Sequence, residues 1–444
     1  MFFILKRFST RIILKIKLSI KGFVKNSIFD FLPSIFSRII LCPLLLLLLI
    51  FSCKENPTTP NEPIKPPGYQ EDIPWPSLAY SPWPMNHGNP QSTGRSKLIG
   101  PASGIGNWMM DMNYNQTSAV IGNQYIYIAP TLDPKGLLSI TRDGQIHSQK
   151  ILYNGSTYEI QTTPLIANDG TIYVCLGLDG ILYAFSSDST IKWQFNNGSS
   201  IWIKGMNIDL DGNIYFVDSN KNLVCVDKNG SLLWKIQNDK FNWTSASSLS
   251  FSPDGSTLYI PGLNPSVFAV DIKNKIIKWQ FGSSEYNAAP MVDCDGNIYI
   301  NSKAYASASY GTCSLKPDGT INWVYFHNNQ DMSTLGGDGT IDKNGNIYFA
   351  YDSLYSIKYD GTLNWKISLN GNCESPIICD DNNDIYVPVT DWVTGWFYKI
   401  SSASSIKWIF TLEPNDVFGF SPSIDDSSKL YLPIWRGKHF YSVK

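Results

Sequence analysis

The sequence predicts an all-β protein: a closed ring of eight four-stranded antiparallel units. Three observations carry this. Composition comes first. The 444 residues hold 16% charged and 14% aromatic side chains, with Gly, Asn, Asp and Ser at short intervals, as short strands and tight turns require. Two recurring motifs come second. Tyr-bearing strands occur at Tyr127, Tyr173, Tyr215, Tyr259, Tyr299, Tyr348, Tyr386 and Tyr431, in steps of 46, 42, 44, 40, 49, 38 and 45 residues. Trp-bearing strands occur at Trp193, Trp234, Trp279, Trp323, Trp365 and Trp408, in steps of 41, 45, 44, 42 and 43. Two periods before Trp193 stands Trp108, and Ser148 holds the place between them. The third observation is an imbalance at the ends. The first Trp strand has no Tyr strand before it, and the last Tyr strand has no Trp strand after it.

The elements follow in order. Residues 1–52 carry eight Lys/Arg and one Asp, and end in the apolar run Ile39 to Phe51. Thirteen apolar residues suit a signal-peptide core better than a span, which needs about 20. "IFSC", Ile50 to Cys53, resembles the bacterial lipobox, which makes Cys53 the expected lipidated N-terminus. Residues 53–80 are rich in Pro without apolar period and read as an extended spacer. Residues 81–444 are the repeat. Each unit reads strand a, a tight Asp-Gly turn, strand b with Tyr, a variable loop, strand c, a second tight turn, and strand d with Trp. Asx-Gly between apolar runs marks a hairpin, because such turns need positive φ.

A period in the low forties with four short strands is the signature of a β-propeller, here eight-bladed. One blade cannot bury both faces, so the Tyr and Trp series are read as inter-blade packing. The closing blade must take strands a to c from about 417–444 and strand d from about 104–111. An N-terminal strand therefore completes the last blade and removes two free edges.

These repeats resemble the PQQ-like propeller superfamily, which includes the quinone-dependent alcohol dehydrogenases and BamB-like lipoproteins. The resemblance covers about residues 81–444. It rests on eight turns of D-G-x-[IL]-x-W type, on strand starts such as "TTPLIANDG" and "FSPSIDD", and on "PWPMNHGNPQSTGRS" before the first blade. It implies the fold, not the chemistry.

No catalytic constellation stands out. The four His lie far apart, and no G-x-S-x-G or P-loop occurs. "DLDGN" and "DCDGN" echo a calcium loop but lack its twelfth-position Glu, so they read as hairpin turns. The dehydrogenases of the superfamily carry adjacent cysteines and a Glu/Asn/Asp calcium set, and this chain has no Cys-Cys. PQQ and Ca²⁺ are therefore not expected as cofactors, nor is another metal. Six cysteines follow Cys53; buried thiols are expected, with a Cys294–Cys313 bridge conceivable. Residues 53–444 carry 27 basic and 36 acidic groups, which argues against nucleic acid.

The b–c and d–a loops share one face, vary in length and are rich in aromatics. Trp202, Trp243, Trp392, Trp396 and Trp435 are the candidate partner-binding residues, and Trp392, Trp396 and Trp435 are placed in b–c loops of the last two blades. The expected protein is a monomeric, lipid-anchored binding scaffold of the bacterial cell envelope, at the periplasmic or surface face of the outer membrane. Its partner would be a protein, peptide or glycan. The alternative is a PQQ-binding, dehydrogenase-like enzyme.

Overall fold

The computed structural model describes residues 65–444, apart from 113–115, 131–134, 154–161, 178, 202, 243–247, 263, 284–288, 304–309 and 328–337. Eight four-stranded sheets form eight blades. Blades 1 to 7 span residues 120–153, 165–196, 207–237, 250–281, 291–326, 340–368 and 378–411. Blade 3 shows the pattern: strand a is Asn207–Ile208, b is Ile214–Val217, c is Asn222–Val226 and d is Leu232–Gln237. Blade 8 takes Ser423–Ile424, Leu430–Leu432 and His439–Val443 from the C-terminus and Gly106–Asp111 from the other end of the chain. The expected closure is thus observed. Met109 faces Tyr441 and Met110 faces Phe440 across the antiparallel seam.

The two aromatic series meet inside the blades that carry both. Tyr–Trp ring centroids lie 5.7 Å apart in blade 2, 5.6 Å in blade 3, 5.9 Å in blade 5 and 5.8 Å in blade 6. Trp108 meets Tyr431 at 5.8 Å, so the closing blade reproduces the pair with residues from opposite ends of the chain. Most of these Trp also dock on the next blade through Nε1. Trp323 Nε1 donates to the Tyr359 carbonyl at 2.9 Å, and Trp365 Nε1 to that of Ser402 at 2.8 Å. The ring of Trp323 lies over Gly361, whose φ is +87°; a Cβ there would sit 2.6 Å from the indole. Ser148, at the Trp position of blade 1, reaches the next blade by a 2.8 Å hydrogen bond to Ser189.

The a–b turns are held by a carboxylate. In blade 3 Asp209 accepts the Asp211 and Asn213 amides at 3.0 and 2.8 Å, Asn213 Nδ2 at 2.8 Å and the Tyr215 hydroxyl at 2.9 Å. Asp293, Asn297 and Tyr299 repeat this in blade 5. The first carboxylates of "DLDGN" and "DCDGN", Asp209 and Asp293, therefore spend their oxygens on their own hairpins.

The segment before blade 1 has a role that its composition hides. Residues 69–79, assigned above to the spacer, lie on the a–b turn face. Gln70 N donates to Lys343 O at 2.8 Å, and Trp75 Nε1 to Ile208 O at 2.9 Å. Trp75 is buried, 5.5 Å from the ring of Phe251. Residues 83–96 then fill the axis. Pro84 O accepts from Ile166 N at 2.8 Å, Pro90 O from Phe251 N at 2.8 Å, and Gln91 O from Val292 N at 2.9 Å. Thr93 O accepts from Ile341 N at 3.2 Å and Gly94 O from Cys379 N at 2.9 Å. Trp83 exchanges bonds with Ile121. One peptide thus satisfies the inner edges of strands a in six blades, groups that would otherwise be unpaired and buried.

Candidate functional site: the variable-loop face

The b–c and d–a loops gather opposite the carboxylate-held turns. Of the five candidate aromatics, Trp202 and Trp243 lie outside the described residues. Two others come together. Trp392 sits at the tip of the blade 7 b–c hairpin and Trp435 on the b–c connection of blade 8. Their rings are 6.2 Å apart at 76°, edge to face.

Local chemistry fixes both. The Asp391 carboxylate accepts the amides of Val393 at 2.9 Å and Thr394 at 2.6 Å, and the Trp392 amide donates to Thr390 Oγ1 at 2.9 Å. These amides, Thr394 first, hold the Asp391 carboxyl below its usual range. The turn places Trp392 at φ +72°, a region where a bulky side chain is a rare outlier. Such strain persists only when the surroundings over-determine it, and it clusters at functional sites. Trp392 is nonetheless 44% exposed, and Val393 beside it 58%.

Trp435 rides on a two-stranded ribbon, Val417–Phe418 with Ile434–Arg436, that is added to blade 8 alone among the described residues. Asp416 staples its base. This buried carboxylate accepts the Lys438 amide at 2.9 Å, His439 Nδ1 at 2.7 Å and the Tyr441 hydroxyl. Burial, then Asp416, pushes the Tyr441 hydroxyl up, so it stays a donor. This His–Asp–Tyr set orients the ribbon. The result is an exposed, strained tryptophan braced on a second one, flanked by the exposed Arg436 and Lys438.

Trp396 departs from its expected place. It lies in strand c of blade 7, Gly395–Ile400, opposite Val389 and Thr411. There it is half-buried and packs against the hydrophobic cluster that blades 6 and 7 share. The hairpin loop is only four residues long, Asp391 to Thr394, so Trp396 falls in the strand that follows it. Among the Trp repeat residues, the Nε1 of Trp193, Trp279, Trp323 and Trp365 donates to a backbone carbonyl of the next blade.

Cysteine chemistry is equally plain. Cys175, Cys225, Cys294, Cys313, Cys373 and Cys379 are all free, so the Cys294–Cys313 bridge does not form. Burial pushes the thiols of Cys225, Cys313 and Cys373 up to about 12. Among the described residues no group of three or more His, Cys, Asp or Glu could hold a metal ion.

A family profile described as "Outer membrane protein assembly factor BamB" matches residues 97–325, more than half of the chain. The chain belongs to that family. No curated protein matches the sequence. Among solved structures, this BamB-family chain is similar to BamB from Moraxella catarrhalis, with 13% identity and a TM-score of 0.53 over 76% of this chain and 96% of that one. A europium-containing methanol dehydrogenase matches at 11% identity and TM-score 0.61, over 82% and 98%. The Dos1 propeller matches at 11% and 0.54, over 77% and 95%. At such identities these likenesses establish the fold alone, and the propeller is common to all three.

Sequence reasoning singled out Trp392 and Trp435 because aromatics stand out in irregular loops. It missed the axial segment and the ribbon. Neither has a periodic signal of its own.

Proposed function

We propose that this BamB-family propeller is a non-catalytic binding protein of the bacterial cell envelope, anchored by lipid at Cys53. The variable-loop face grips a protein involved in outer-membrane protein assembly. The observation that carries this is the Trp392–Trp435 pair: a strained, exposed aromatic on one blade tip, braced by a ribbon special to the next. Aromatics and Arg on a rigid scaffold are the residues that dominate protein interfaces. The edge-to-face packing presents a ridge, which suits a protein groove better than the flat face of a sugar. Cys53 lies outside the described residues, and its role rests on the lipobox.

The dehydrogenase-like alternative fits less well. Residues 83–96 hold the axis, and the six cysteines stand apart from one another with no adjacent pair to contact a quinone.

Site-specific photo-cross-linking in intact envelopes tests the reading. A cross-linker at position 392 should give one discrete protein adduct, which disappears when Trp435→Ala is added. A cross-linker at Leu232, exposed on an outer strand, should give none. Equal adducts from both positions would sink the proposal. Saturable binding of pyrroloquinoline quinone with Ca²⁺ at micromolar affinity would favour the enzyme instead.

A further inference from the structure

Blade 8 departs from the repeat at one position of its outermost strand. Each outer strand has a register shift just before its Trp position. Leu232 faces Val226 and Trp234 faces Cys225 in blade 3; Gly106 faces Val443 and Trp108 faces Ser442 in blade 8. Two residues before the Trp position, the other seven blades carry Ile or Leu, such as Ile406 in blade 7. Gly106 puts no side chain there. A Cβ added to it would meet only the ring of Phe410, on the outer strand of blade 7, at 3.6 Å. The space left open is a groove of about 310 Å³ between the outer strands of blades 7 and 8. That is at the small end of the range for ligand pockets, about 300–1,000 Å³.

The groove has aromatic walls and one acidic residue. Gly106, Met109, Phe410, Thr411, Glu413 and Tyr441 are among its lining. The rings of Phe410 and Tyr441 stand 5.8 Å apart at 74° and form two sides of a corner. Tyr441 is held in place, because its hydroxyl donates to Asp416 and accepts the Glu413 amide at 3.1 Å. Only its ring is left to offer. Met109 is 51% exposed and supplies an adaptable rim. Glu413 is exposed, and its carboxylate makes no hydrogen bond or ion pair among the described residues.

Aromatic rings attract a cation, and an unpaired carboxylate beside them adds a full opposite charge. A primary ammonium brings three donors that must each find an acceptor, and the Tyr441 hydroxyl is already spent. A quaternary ammonium brings none, and its methyl groups suit apolar walls. We propose that the groove between blades 7 and 8 binds a free quaternary ammonium ion of choline size. Its methyl groups rest against Phe410, Tyr441 and Met109, and its charge is balanced by Glu413. The site lies on the outer wall of the ring and uses neither Trp392 nor Trp435, so it goes beyond the binding function proposed above.

Ligand-observed NMR titration on the full chain tests this with choline, against its neutral isostere in which carbon replaces the nitrogen. Saturable one-to-one binding is expected for choline and none for the isostere. Gly106→Ile gives blade 8 the kind of side chain that the other blades carry and should abolish choline binding. Glu413→Gln, a change at an exposed position that leaves the fold intact, should weaken it by about fivefold or more. Trp392→Ala with Trp435→Ala should leave it unchanged, which tells failure here from failure of the proposed function. Glycerophosphocholine separates a lipid headgroup from a free cation. Its phosphate would meet the Glu413 carboxylate, so weaker binding than that of choline is expected. Tighter binding of glycerophosphocholine, equal binding of the isostere, no saturable binding of choline, or choline binding that survives Gly106→Ile would each overturn the proposal.

Discussion

At the scale of single residues, the fold depends on polar groups held in one protonation state. His327 is buried, with Nε2 2.9 Å from Thr312 Oγ1 and its ring 4.7 Å from that of Tyr355. Burial, then the Lys366 charge, lowers its pKa from 6.5 to about 4. The unfolded chain takes up this proton near 6.5 and the folded chain only near 4. Stability is therefore lost as pH falls through that window, about 2 kcal/mol from this group by pH 5. Denaturant midpoints between pH 7 and pH 5 should fall further for the native protein than for His327→Gln; an equal fall would contradict the assignment. The tryptophans divide in the same way. Trp323→Ala removes an inter-blade dock and should cost about 2–4 kcal/mol. Trp392→Ala removes an exposed, strained ring and should leave the melting temperature within about 1 °C. Calorimetry on the two variants separates docking from display. The sequence distinguishes these roles because Trp323 recurs with the repeat and Trp392 does not. It misplaced Trp396 because hairpin length is set by the register of two strands, which no single residue reports.

At the scale of elements, the hairpins were legible and the strap was not. Asp-Gly turns and apolar alternation are local, so each blade announces itself. Residues 69–96 pair with edges supplied by separate repeats, and a Pro-rich segment has no period of its own to show. Its contribution is testable. Trp75 fills a site against Phe251 and over Gly255 on the a–b turn face. Trp75→Ala should cost about 3 kcal/mol, as buried Trp truncations do. An unchanged unfolding midpoint would return this segment to the role of spacer. Gly361→Val should be as harmful as losing Trp323, since it combines a strained φ with a clash on the indole. The double variant with Trp323→Ala would recover part of the loss by relieving the clash, and a double-mutant cycle measures how much.

At the scale of the whole molecule, the ring is shut by the seam between Gly106–Asp111 and His439–Val443. Removing residues 440–444 takes away Phe440 and Tyr441, both buried against neighbouring aromatics. This should expose 106–111 to limited proteolysis and lower Tm more than removal of residues 65–69 does. Comparable digestion of both truncations would mean that the seam is not the weak point. The eightfold count was readable from end to end, because the imbalance of Tyr and Trp strands demanded closure. The partner surface was readable only in part, because loops carry no repeat to compare against.

The axial segment also constrains how the molecule comes into being. Residues 83–96 precede every complete blade in the chain, yet bond to strands up to Cys379, nearly 300 residues later. The blades therefore cannot mature one after another as they emerge. The first-made segment must wait at the centre until the last-made strands arrive around it. Contacts so distant in sequence make folding slow and leave unpaired edges exposed for longer. Under the envelope function proposed above, that delay would serve a chain on its export route. It would stay unfinished, and so threadable, until its final strand reached the far side of the membrane.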